Sequence, residues 1–268
     1  MTASFIVVIA LVLVALILPV LFQRRFIYQR RSSNKTPHLS LQSIGGEVIE
    51  IKTSDGERLV AWHRSPPAGR PIVVFFHGSA DSPNQRAVRF LGLVSAQFGI
   101  LAPHFRGYGG STGHPSEKGL ALDADAIYRY CNAHYRPEQI VLWGFSLGSA
   151  VAVSLASKKE IAALVLEAAF TSLADVAKNW VPFLPSRFIL RDRFQADQAI
   201  KSVKAPILMI HGGSDRDVPL DLGKRLFESA PEPKQLVVFD AAGHDDLDQY
   251  GAIGDVRRFL AESCKDFR

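Results

Sequence analysis

Four short and almost unbroken apolar runs constrain what this chain can fold into: Ile72–Phe76, Ile140–Trp143, Ala163–Leu166 and Ile207–Ile210, with Leu236–Phe239 as a fifth. A strand exposed on one face alternates apolar and polar residues. An unbroken apolar strand must instead be covered on both faces, as in a parallel sheet. Helical stretches over about 82–97, 117–135, 147–158, 219–229 and 250–263 lie between these runs. Strand–helix alternation predicts a mainly parallel sheet with helices on both sides, an α/β fold. Ahead of it, Glu47–Thr53 and Arg58–His63 alternate around an Asp55-Gly56 turn, which predicts a hairpin.

The N-terminus has a different character. Ser4–Phe22 is nineteen residues without a charge, followed by Arg24, Arg25, Arg30, Arg31 and Lys35. A helix of that length spans about 28 Å, close to the hydrocarbon thickness of a bilayer. No charged start precedes the run, and Phe22-Gln23-Arg24-Arg25 offers no small-residue cleavage site, so an uncleaved anchor is expected rather than a signal peptide. The cations all follow the run, which predicts a single-pass protein of the plasma (inner) membrane with its body in the cytoplasm. Those cations are also placed to meet anionic lipid headgroups. They account for the whole formal net charge of +5, so the folded body carries no excess of positive charge. A nucleic-acid partner is therefore not expected. The division that follows is an anchor over 1–23, a basic juxtamembrane linker over 24–46 and one domain over 47–268. Two cysteines, Cys131 and Cys264, are too few for a disulfide framework.

The second apolar run, Ile140–Trp143, leads into Gly144-Phe145-Ser146-Leu147-Gly148, and an Ala/Val/Leu-rich helix follows. Strand, G-x-S-x-G and helix in that order form a nucleophile elbow, which lifts the Ser146 hydroxyl above the sheet at a helix N-terminus. The amide of Leu147, next after the nucleophile, is the expected donor to an oxyanion. A serine also needs a general base, and the base an orienting carboxylate.

The surrounding segments F-F-H-G-S-A (75–80), F-R-G-Y-G-G-S-T-G (105–113), P-S-E-K-G-L-A-L-D-A (115–124), H-G-G-S-D-R-D-V-P (211–219) and A-G-H (242–244) resemble the α/β-hydrolase superfamily. More narrowly, they resemble the Bem46-like, membrane-anchored serine hydrolases grouped with the serine aminopeptidase S33 domain. The resemblance runs from about residue 45 to the C-terminus. It implies an α/β-hydrolase fold with an eight-stranded, mainly parallel sheet and a short helical lid, here about 168–204. It also implies partners that follow the serine in the order acid then histidine, in loops at strand ends. His244 is then the base. Asp215 matches the family's H-G-x-x-D-x-x-V-P pattern, leaving Asp217 to cap the next helix or face water. The Ser79 amide is implied as the second oxyanion donor, with His77 and His211 anchoring their loops. Within the lid, Trp180, Phe183 and Phe188 among prolines suggest an apolar wall over the serine that would hold an acyl chain.

The expected activity is hydrolysis of carboxylic esters or thioesters, with a small-molecule or lipid-like acyl substrate and no metal or organic cofactor. Asp245-Asp246-x-Asp248 lacks calcium-loop spacing, and the Gly107–Gly110 turn lacks the G-K-[ST] of a phosphate loop. Amide or peptide cleavage of the S33 type is one alternative. A catalytically silent binding module tethered to the membrane is another.

Overall fold

The computed structural model describes residues 22–29, 41–183 and 185–264. Eight strands form one sheet: β1 (Glu47–Lys52), β2 (Arg58–Arg64), β3 (Ile72–Phe76), β4 (Gly99–Pro103), β5 (Ile140–Phe145), β6 (Ala163–Glu167), β7 (Ile207–Gly212) and β8 (Lys234–Phe239). Their spatial order is β1-β2-β4-β3-β5-β6-β7-β8. β1 pairs antiparallel with β2 and β2 with β4, while every later pairing is parallel. The predicted hairpin is therefore the antiparallel edge of an otherwise parallel sheet.

Pleating sends successive side chains to opposite faces, and both faces are dry. From β3, Ile72, Val74 and Phe76 enter one core, and Val73 and Phe75 the other. From β5, Ile140 and Leu142 go to the first, and Val141, Trp143 and Phe145 to the second. The first core is roofed by α2 (Glu117–Asn132), α3 (Leu147–Ala156) and α5 (Leu220–Ser229). The second is roofed by α1 (Ala87–Ser95) and α6 (Ala252–Ser263). Between β6 and β7 lies α4 (Leu173–Trp180), followed by single helical turns at Ser186–Ile189 and Ala196–Ala199. Strand β8 departs from the expectation drawn from its apolar run. As the sheet edge it has one neighbour, and most of its residues are only partly buried.

Two described stretches of the segment read as a linker contact the body. Residues 41–44 form a 3-10 turn whose Ile44 is buried with Trp62 and Phe90, and the Arg64 guanidinium donates to the Ile44 carbonyl. The body thus begins ahead of residue 47. Residues 22–27 are helical, and this stretch is docked rather than free. Gln23 accepts from the Arg191 amide at 2.7 Å, Arg24 forks onto Asp192 at 2.8 and 3.0 Å, and the Tyr28 hydroxyl donates to Asp192 at 3.0 Å. Arg24 thus pairs with a buried carboxylate of the chain itself. No helix among the described residues is long and apolar enough to cross a membrane. The apolar run 4–22 lies, but for its last residue, outside the described residues.

Candidate active site

The parallel strands all present their carboxyl ends to one edge of the sheet, and three of the loops there meet. The turn from β5 into α3 holds Ser146 at φ 51°, ψ −119°, a left-handed backbone that a side chain rarely adopts. Two glycines make this turn possible. A Cβ on Gly144 would lie 2.4 Å from the Gly148 carbonyl oxygen, and one on Gly148 only 2.0 Å from that of Phe76. The strained serine is held from both sides. Its amide donates to the Glu167 carbonyl at the end of β6 (2.9 Å), and its carbonyl accepts from the Ser149 hydroxyl (2.6 Å).

The loop after β7 supplies Asp215. Its Oδ1 accepts from the amides of Asp217 (2.9 Å) and Val218 (2.8 Å), which leaves Oδ2 to accept from His244 Nδ1 at 2.7 Å. Across the ring, His244 Nε2 lies 3.1 Å from Ser146 Oγ. Ser146, His244 and Asp215, separated by 98 and 29 positions in sequence, thus form one hydrogen-bonded relay. Burial opposes a charged imidazole at His244, but the hydrogen bond and negative charge of Asp215 outweigh it, aided by Asp245 and Asp217. The pKa of His244 is consequently raised above an ordinary histidine's 6.5. Asp217, the rival carboxylate, is exposed.

His77 and His211 hold loops. The His77 ring donates from Nδ1 to the Gly78 carbonyl (2.7 Å) and accepts at Nε2 from the Phe105 amide (3.1 Å), which defines a neutral tautomer. Full burial pushes its pKa down to about 4. His211 Nε2 donates to the Val218 carbonyl at 2.9 Å, and burial lowers its pKa too. The loop carrying Ser79 passes over Ser146: a Cβ on Gly78 would lie 3.4 Å from Ser146 Cβ. Tyr108, from the Gly-rich turn, fixes that loop by donating its hydroxyl to the Ser79 carbonyl at 2.9 Å. Leu147 opens α3, where first-turn amides have no intrahelical acceptor.

The lid aromatics are placed otherwise than the sequence suggests. Phe183 is 97% exposed, Phe188 88% and Trp180 62%, so they do not enclose a wall over Ser146. Residues 181–183 run through a bend and turn that carries these rings outward. Trp180 alone reaches the site's surroundings, donating from Nε1 to the Asp217 carbonyl at 3.1 Å. A cleft of about 550 Å³ lined by Arg70, Phe98, Arg257 and Cys264 holds none of the three relay residues. It opens beside the starts of β3 and β4, at the end of the sheet away from Ser146.

Sequence reasoning missed a set of arginines behind the site. Arg89, fully buried, pairs with Glu167 and with Asp248 (3.0 Å), joining the strand end that holds the Ser146 amide to the turn after His244. Arg86 pairs with Asp81 (2.8 Å) and Asp245 (2.7 Å), and its guanidinium lies 4.1 Å over the Phe145 ring. Asp246 accepts from the Gly243 amide at 2.7 Å. The acids after His244 are thereby committed to holding its loop. One signal was available: a carboxylate ending an apolar strand, Glu167, and arginines inside an otherwise apolar helix need internal partners.

A doubly wound sheet with a serine elbow, a histidine and an aspartate in hydrogen-bonded sequence defines an α/β-hydrolase architecture. Comparison with known proteins agrees. The α/β hydrolase fold family matches residues 71–193. An uncharacterized protein of Mycobacterium tuberculosis is 41% identical over 250 residues, covering 90% of this chain and 88% of the relative. Alpha/beta hydrolase domain-containing protein 17B of Xenopus laevis is 32% identical over 221 residues, covering 81% and 75%. Among solved structures, an esterase of Pyrococcus furiosus superposes with a TM-score of 0.71 at 22% identity, covering 85% of this chain and 96% of the esterase. The chain belongs to the α/β hydrolase family.

Proposed function

We propose that this protein is a membrane-anchored serine hydrolase of the Bem46-like, S33-related type, cleaving carboxylic esters or thioesters through an acyl-enzyme on Ser146. The observation that carries the reading is the relay of Ser146 Oγ, His244 Nε2, His244 Nδ1 and Asp215 Oδ2, with links of 3.1 and 2.7 Å. In this mechanism Ser146 attacks the carbonyl carbon while its proton passes to His244 Nε2. Asp215 keeps the proton-bearing Nδ1 oriented and balances the imidazolium. The oxyanion is met by the amides of Leu147 and Ser79, an interaction of about 3–4 kcal/mol per donor in such sites. His244 then protonates the leaving alcohol or thiol, and a water activated by the same nitrogen releases the acid. No step calls for a metal or an organic cofactor. The substrate is a small or lipid-like acyl compound, and the apolar run 4–22 with its trailing cations would keep the body at the inner membrane.

The test is labelling with a fluorophosphonate, which reacts with an activated serine. Wild type should label and Ser146→Ala should not, with unchanged melting behaviour. Labelling that survives the substitution would dismiss Ser146 as the nucleophile. Parallel assays of acyl esters, thioesters and aminoacyl amides then separate ester from amide cleavage.

A further inference from the structure

The lid of a hydrolase with a buried site should turn its apolar residues inward, yet here they face water. Phe183 and Phe188 are almost wholly exposed, and Trp180 and Val181 are exposed beside them. These residues occupy one bonded unit. The Ser186 hydroxyl donates to the Ala174 carbonyl at 2.8 Å, and Arg187 pairs with Asp175 at 3.1 Å, so the turn after Pro185 is held on α4. To this unit the helix over 22–27 adds Phe22 and Phe26, one turn apart and 52% and 68% exposed. Exposed apolar residues gathered on one bonded unit of this kind mark an interaction site.

Charge and chain path identify the partner. Residues 168–204 carry six cations and three acids. Two of the acids are consumed internally: Asp192 by Arg24, Tyr28 and the Glu117 amide, and Asp175 by Thr171, Ser172 and Arg187. Asp197, partly buried, accepts from the Gln198 side chain at 3.2 Å. Lys178, Arg191 and Arg193 are exposed, as is Arg25 on the docked segment. Aromatic rings flanked by cations match the headgroup layer of an anionic bilayer. The chain path puts that layer at this face. Gln23, one residue past the end of the apolar run, bonds Ile189 (3.4 Å) and Arg191 (2.7 Å). A segment leaving residue 22 for the membrane therefore departs from the lid itself.

We propose that the lid face bearing Trp180, Val181, Phe183 and Phe188, with Phe22 and Phe26 beside it, docks on the surface of an anionic lipid bilayer. The placement builds on the reading of residues 4–22 as a membrane anchor, and adds that the body is held lid-down by a second contact. Trp180 also bonds the carbonyl of Asp217, two residues beyond Asp215, so the docked surface adjoins the loop of the relay's carboxylate.

Trp180 supplies a native probe, since Trp62 and Trp143 are buried. The full chain is reconstituted into vesicles of equimolar phosphatidylcholine and phosphatidylglycerol carrying brominated acyl chains, with Trp180→Phe giving the background. The expected result is quenching of Trp180 emission by the brominated lipid. Quenching should weaken in pure phosphatidylcholine and drop to about half or less in Phe183→Ser/Phe188→Ser, whose exposed positions leave folding undisturbed. Retention of the chain on vesicles after alkaline extraction reports the anchor separately. Retention with no lipid quenching, and with Trp180 open to aqueous iodide, overturns the docking proposal and leaves the anchor standing. Quenching without alkaline-resistant retention supports docking and removes the anchor. Loss of both overturns both.

Discussion

The relay end of the molecule and the lid are built on opposite terms. Around Ser146 every charged group behind the site has a buried partner: Arg89 with Glu167 and Asp248, Arg86 with Asp81 and Asp245. The His244 ring is bonded on both nitrogens. The lid, by contrast, is tied at Asp192 and Asp175 but leaves Trp180, Phe183 and Phe188 in solvent. A site that must hold a strained serine within hydrogen-bond reach of a base needs enclosure, because low dielectric strengthens each bond. A segment that meets a changing exterior needs an apolar outer face, and so has few internal contacts to fix it.

Substitutions on the two sides should differ in kind as well as size. Asp215→Asn, which leaves the loop's shape but removes the acceptor for His244 Nδ1–H, is expected to cost about 10⁴-fold in kcat with a nearly unchanged Tm. Ester turnover and thermal unfolding of the same preparation check it. A Tm loss of comparable weight would mean that Asp215 serves the fold more than the relay. Arg89→Met should strip the buried Glu167 carboxyl of its ion-pair partner and destabilise by about 3–5 kcal/mol, read by urea unfolding. Adding Glu167→Gln should restore much of that loss. On the lid side, Asp192→Ala strands the Arg24 fork, the Tyr28 hydroxyl and the Glu117 amide, at about 1–3 kcal/mol in all. It should show first as faster proteolysis near residues 181–195, with ester turnover of a soluble substrate little changed.

The smallest effect is a shift along the pH axis. Because Asp215 raises the His244 pKa, the imidazole is neutral, and able to accept the Ser146 proton, only above a value higher than 6.5. Turnover should therefore fall as pH drops through a midpoint on the alkaline side of an ordinary histidine. The same shift favours the folded state below the unfolded histidine's pKa, and that contribution is lost as pH rises through the folded value. Activity and this part of stability thus move in opposite directions, and in Asp215→Asn the acid midpoint should move down.

Much of this was legible from residues alone because it depends on local rules. Unbroken apolar runs announce strands covered on both faces, and Ile72–Phe76 and Ile140–Trp143 behave so. Gly144 and Gly148 are forced by backbone approaches that no side chain survives. The order serine, aspartate, histidine came from the resemblance to the α/β hydrolases, and the fold brings the three together at one edge of the sheet. Less was legible where the outcome depends on who the neighbour is. β8 carries an apolar run like the others, yet sits at the edge with one partner. Arg24 pairs with Asp192, 168 positions away, a partner that no local pattern announces.

Patterns repeating every two residues, and turns closing within five, are properties of neighbours in the chain; the alternation of strands and helices and the elbow at Ser146 were therefore written in the order of residues. Which way Phe183 and Phe188 turn, which carboxylate receives Arg89 and where the N-terminal segment lands depend on residues brought together across the fold. Burial and pairing energies belong to such assembled neighbourhoods, and no stretch of chain carries them before it is packed.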